Sequence, residues 1–223
     1  MNDLGNTAPG TNRAIEREVR PTEFFSDGVM AIGMTLLVLN LSVSSYHRDE
    51  LSAQLRAQWP TYVAFALSFT FVAVMWMNHH AVFDRLRALS FAVQWANMGI
   101  LLGAVILNYP TVVLASAFQS GSLRDEKAAI VLYCLMAFFM GLCWEILFLI
   151  VWRTPRLWKY ESDEPKWRRV SLWGVGGVFG YLIVLLVGEF VNPWFAGLLI
   201  FLLVLYRASQ APRIARSTIP PSL

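Results

Sequence analysis

Two short runs carry most of the polar chemistry of this chain. Phe25-Ser26-Asp27-Gly28 heads one long uncharged stretch, and Trp76-Met77-Asn78-His79-His80 closes another. A carboxylate, a hydroxyl, an amide, an indole N–H and two imidazoles are the groups that tie helix ends together by hydrogen bonds. A carboxylate in apolar surroundings is costly without a partner. Asp27 is therefore expected to pair with His79 or His80, with Ser26, Asn78 and the Trp76 indole adding bonds. Imidazole titrates near pH 6.5, which would make such a network pH-dependent. His80 and Asp84 share a helix face and are metal-ligand types. Adjacent histidines point roughly 100° apart on a helix, and neither an HExxH pattern nor a second cluster accompanies them, so no metal site is expected. GxSxG, P-loop and GxGxxG patterns are missing from the sequence, and no paired carboxylates share a face, so an enzyme is not expected. Glu145 is expected to pair with Arg85 or Arg153. Asn97 and Asn108 are expected to bond across helices, and Gly174, Gly176, Gly177 and Gly180 to form a helix-packing face. Cys134 and Cys143 lie on opposite faces of one helix and cannot pair within it.

The elements that must position these groups follow from composition. Of 223 residues, 57% are apolar and only 15% charged, against roughly 25% charged in soluble domains. That excludes an ordinary soluble globule and a disordered chain. Two cysteines and three histidines exclude a disulfide scaffold and a cysteine-based zinc module. About 20 apolar residues cross a bilayer core as a helix. Six stretches qualify: 28–46 (from about 24 if Asp27 is allowed inside), 60–78, 88–123, 128–152, 170–188 and 190–206. The third is long for one straight crossing, and Pro110 can kink it. The expected fold is an all-α polytopic membrane protein with six transmembrane helices per subunit. Residues 1–19 read as a disordered tail, 20–207 as the membrane domain and 208–223 as a flexible cytoplasmic tail.

Charge sets the orientation. Fourteen of the eighteen Lys and Arg residues fall in the odd-numbered exposed segments, counting the amino-terminal tail first. By the positive-inside rule both termini are then cytoplasmic, as an even number of crossings requires. The net charge of +3 reflects this topology rather than nucleic-acid binding. The basic loop between the fourth and fifth helices faces anionic lipid.

Phe-Phe-Ser-Asp-Gly-Val-Met-Ala-Ile-Gly-Met-Thr-Leu-Leu-Val-Leu, residues 24–39, resembles the signature of the transmembrane protein 175 family, the lysosomal-type potassium channels and their prokaryotic relatives. Residues 76–80 match that family's second-helix ending, and Asn108-Tyr109-Pro110-Thr111 its third-helix proline turn. The resemblance covers the first half of the chain. There is one departure: the family's arginine, four residues before the Phe of Phe-Ser-Asp, is Pro21 here. Arg20 stands one residue further back, the candidate to reach the Asp27 network from a shifted turn.

The resemblance implies a prokaryotic single-repeat member. It would be a homotetramer in the plasma (inner) membrane whose first helices line a central pore, conducting potassium passively with no cofactor. The residues matching the family's constriction are Ile32, Leu36 and Leu39, with Thr35 on the adjoining flank. Steps of four and three residues keep the three apolar ones within a stripe of roughly 60°. Four copies would stack apolar rings, which can gate by dewetting. The alternatives are a secondary transporter, which would show inverted repeats and broken helices, or a non-conducting membrane scaffold.

Overall fold

A computed structural model describes residues 18–41, 50–159 and 164–216, of which 164–175 and 209–216 are described by their backbone alone. The amino-terminal tail to residue 17, the end of the first stretch at Tyr46 and residues 217–223 lie outside the described residues.

The described chain is helical. Helix α1 (Val19–Leu36) runs on into a 3-10 turn, Leu37–Asn40. A short helix α2 (Leu51–Ala57), too brief for hydropathy to signal, precedes α3 (Trp59–Phe83), where Pro60 stands in the first turn. There proline removes only an N–H that has no helical partner. Ser90 opens α4 (Phe91–Ile106) by accepting from the Val93 amide at 3.3 Å. The helix is interrupted at Leu107 and continues as α5 (Asn108–Ser120), with Pro110, the expected site of a kink, one turn into it. Gly121, at φ 66°, ends α5 in the left-handed conformation glycine adopts without strain. Ser122 caps α6 (Leu123–Trp152), and α7 (Glu164–Phe190) follows. Asn192 Oδ1 accepts from the Trp194 amide at 2.8 Å to open α8 (Pro193–Arg216).

Among the described residues four segments are long and apolar enough to cross a membrane: 19–40, 59–83, 91–120 and 123–152. The apolar parts of α7 and α8 within the described side chains, 176–190 and 193–208, are shorter. Three boundaries differ from expectation. α3 continues past Asn78 and past the His79-His80 ending to Phe83. α7 begins at Glu164 rather than Val170. α8 reaches Arg216, so residues 208–216 prolong the last helix.

α6 is the centre of the bundle. It packs against α4, α5, α7 and α8, burying Ala129, Ile130, Tyr133, Ala137, Met140, Trp144 and Leu147. Small residues set the approach distances. A Cβ on Gly103 of α4 would lie 2.9 Å from Met140, and one on Gly177 of α7 2.6 Å from the Arg207 guanidinium. Ser68, Thr111 and Tyr133 satisfy one another inside the bundle, at 2.7 and 3.0 Å. Cys134 and Cys143 are both free thiols. α1 packs against α3 and α4 at the edge, with Met30, Gly33 and Leu37 inward.

Candidate functional site: the α1 face and its polar anchor

The polar anchor is built from two antiparallel helices whose residues recur every four positions. Residues four apart lie one above the other on a helix face. Glu23 and Asp27 form such a pair on α1, and Trp76 and His80 on α3. The two pairs meet as rungs. Trp76 Nε1 donates to Asp27 Oδ1 at 2.9 Å. His80 Nδ1 lies 3.1 Å from Glu23 Oε1. The Trp76 and His80 rings stack at 5.9 Å, which holds the α3 side of both rungs.

The neighbouring residues, turned by one helical step, make a second and fully buried layer. His79 Nε2 bonds Asn97 Oδ1 of α4 at 2.8 Å, and Asn97 Nδ2 donates to Ser26 Oγ at 2.9 Å. The Ser26 hydroxyl donates in turn to the Thr22 carbonyl at 2.8 Å. The donors all run one way, from imidazole to amide to hydroxyl to backbone, which requires the proton on His79 Nε2. Phe83 covers the His79 ring at 3.9 Å. Nδ1 is buried without a hydrogen-bond partner among the described residues.

Several expectations are corrected here. Asp27 takes its hydrogen bond from the Trp76 indole rather than from either histidine, and reaches His79 only electrostatically. Rotation of α1 turns it toward Trp76, while Glu23, one turn earlier, takes His80. Asn78 is buried but outside the network, and its Oδ1 has no partner among the described residues. Arg20 is exposed and makes no hydrogen bond or ion pair with another described residue. Glu145 interacts electrostatically with Arg207 of α8, not with Arg85 or Arg153. Glu23 is new to the site. With Asp27 it makes two carboxylates on one face of α1, against the expectation that no such pair existed; the signal was the four-residue spacing to Asp27, matched by the same spacing from Trp76 to His80. Asn97 was legible as a cross-helix group but not as the link between Ser26 and His79. Among the described residues no group of three His, Cys, Asp or Glu is placed to hold a metal.

The other half of α1 presents an apolar face to the outside of the subunit. Ile32 is 59% exposed and Leu39 68%, Thr35 is exposed and Leu36 half-buried. Phe25 is also exposed, beside Phe91 and Trp95 in a groove between α1 and α4. In a 3-10 turn residues three apart eclipse, so the Leu37–Asn40 turn brings Leu39 more nearly over Leu36 than an α-helix would. The Thr35 hydroxyl donates to the Ile32 carbonyl at 2.8 Å. Its one proton is spent, so the oxygen shows lone pairs outward. Asn40 Nδ2 donates to Asn108 Oδ1 at 2.7 Å, fastening the turn to the start of α5.

Comparison with known proteins places this architecture. Residues 22–110 match the sequence profile of the family described as endosomal/lysosomal potassium channel TMEM175. A potassium channel of Streptomyces collinus is 31% identical over 201 residues, 90% of this chain and 97% of that one. The human endosomal/lysosomal proton channel TMEM175 is 31% identical over 154 residues, 64% of this chain and 29% of that one. A crystal structure of a lysosomal potassium-selective channel TMEM175 homolog from Chamaesiphon minutus superposes with a TM-score of 0.75 at 26% identity, over 86% of this chain and 97% of that one. These relatives are channels, not enzymes. With the family profile matching residues 22–110 and a 31% likeness that spans 90% of this chain and 97% of the Streptomyces channel, the chain is a multi-pass membrane protein that belongs to the TMEM175 family.

Proposed function

We propose that the chain is the subunit of a potassium-selective channel in a prokaryotic plasma membrane. Four copies surround a central pore lined by α1, each with six crossings and both termini cytoplasmic. Ile32, Leu36 and Leu39 form stacked apolar rings that constrict the passage. One observation carries the reading. α1 buries Met30, Gly33 and Leu37 in its own subunit and leaves Ile32 and Leu39 uncovered. An apolar stripe that the subunit does not use is the part a closed ring of subunits would turn toward its axis. The names of the similar proteins support potassium as the ion.

Apolar rings cannot replace the hydration shell as the carbonyls of ordinary potassium-channel filters do. They can exclude water until the passage widens, which makes them a gate. Selectivity then rests on pore width and on how much of the hydration shell survives. Thr35 contributes an oxygen of the right polarity, because its proton is engaged with Ile32. The anchor of Asp27, Trp76, Glu23 and His80 holds the cytoplasmic ends of α1 and α3 together, so that movement of α1 is coupled to the bundle.

The test is flux in liposomes containing the purified chain. Potassium flux that follows an imposed voltage without a second solute is expected. Obligatory exchange against another solute would favour a transporter, and no flux at all a scaffold.

A further inference from the structure

Two loops meet at the end of the subunit where α3 and α6 finish. Leu86 and Trp158 form an antiparallel bridge. The Arg87 amide donates to the Leu157 carbonyl at 3.0 Å, and the Lys159 amide to the Arg85 carbonyl at 2.9 Å. Leu86, Leu89 and Leu157 root the pair in the core. The result is one hydrogen-bonded platform rather than two independent loops. Residues 84–90 and 153–159 carry five cationic side chains and one acidic one, Asp84. Arg87, Arg153, Arg156 and Lys159 are exposed.

Two of these cations are held in place by main-chain oxygens. Arg87 Nε donates to the Arg156 carbonyl at 2.5 Å, and Lys159 Nζ to the Asp84 carbonyl. The Lys159 contact also satisfies an orphan carbonyl at the end of α3. Helix capping explains that single bond and leaves the rest over. A guanidinium has five N–H donors and an ammonium three, so most of them remain directed away from these carbonyls. Trp152, 43% exposed at the last turn of α6, marks the depth at which indoles settle between acyl chains and headgroups.

We propose that this paired-loop platform binds the phosphate headgroup of an anionic phospholipid through Arg87, Arg153, Arg156 and Lys159. Basic clusters beside membrane helices attract anionic lipid at about 1 kcal/mol per cation. Here the loop backbones are already paired and the Arg87 and Lys159 side chains already held, so those two cations have less freedom to lose on binding. The proposal rests on the membrane embedding and not on the pore, so its failure leaves the channel reading standing.

The test uses the full chain in phosphatidylcholine vesicles doped with brominated phosphatidylglycerol or, at equal mole fraction, brominated phosphatidylcholine. Tryptophan quenching is expected to be greater with the phosphatidylglycerol. The excess should vanish in an Arg87→Gln/Arg156→Gln/Lys159→Gln triple variant and persist in Arg87→Lys. Should the triple variant not fold, Arg153→Gln/Arg156→Gln, which keeps Arg87 and Lys159, should lose at least half of the excess. Equal quenching by the two lipids, or an excess untouched in the variants, overturns the proposal. Millimolar inorganic phosphate should leave the excess in place; its abolition would assign the platform to free phosphate instead of lipid.

Discussion

Between Val19 and Met30, α1 is held by partners inside its own chain. Asp27 and Glu23 meet α3, and Ser26 meets α4. Between Ala31 and Leu39 the same helix keeps only Gly33 and Leu37 buried, with an apolar face left uncovered. Hydrogen bonds need defined partners at about 3 Å and defined angles, so the first half fixes where α1 stands. Apolar contact is non-directional, so the second half is free to meet whatever the assembly brings to it. One helix thus combines a fixed anchor with an apolar surface that its own subunit leaves uncovered.

Substitutions in the two halves should differ in kind. Asn97→Leu should have the largest effect on stability. It removes the only described partner of His79 Nε2 and the donor to Ser26, both fully buried. An orphaned buried group costs about 1–3 kcal/mol, read as a lowered thermal midpoint in detergent; an unchanged midpoint would show the buried layer to be dispensable. Trp76→Phe comes next. It keeps the ring and deletes the bond to Asp27, and because this rung is partly open to water the loss should be about 1 kcal/mol. Asp27→Ala should match it, and the double variant should cost no more than either single one; an additive double variant would mean that the two side chains do not act as a pair. His80→Gln should cost less than about 1 kcal/mol, because a polar contact whose imidazole is half open to water contributes little. A larger loss in that variant would make the outer rung, not the buried layer, the main tie. Ile32→Asn should leave subunit stability almost untouched, since the side chain is exposed, and should act on conduction instead.

Much of this organisation is legible in the sequence. Hydropathy locates the helices because a crossing segment must be apolar along its length, and Pro110 announces the break between α4 and α5. The Phe-Ser-Asp and His-His runs mark the anchor, because polar groups in apolar stretches need partners. Pairing is less legible. Whether Asp27 meets His80 or Trp76 depends on a rotation of α1 by one helical step, and hydropathy carries no information about that angle. Glu145 finds Arg207, 62 positions away, only because α6 and α8 pack together. The paired loops at Leu86 and Trp158 are likewise a product of tertiary packing. α2 escapes notice because seven residues leave no periodic signal.

The central claim is that the uncovered α1 stripe is the ion passage. Liposomes containing Ile32→Asn, compared with the unsubstituted chain for potassium and sodium flux under the same voltage, test it most directly. A polar side chain should wet the constriction, so the account predicts flux that rises or persists while the preference for potassium falls several-fold, with the thermal midpoint unchanged. Flux and preference both identical to those of the unsubstituted chain would contradict it and take Ile32 out of the ion path.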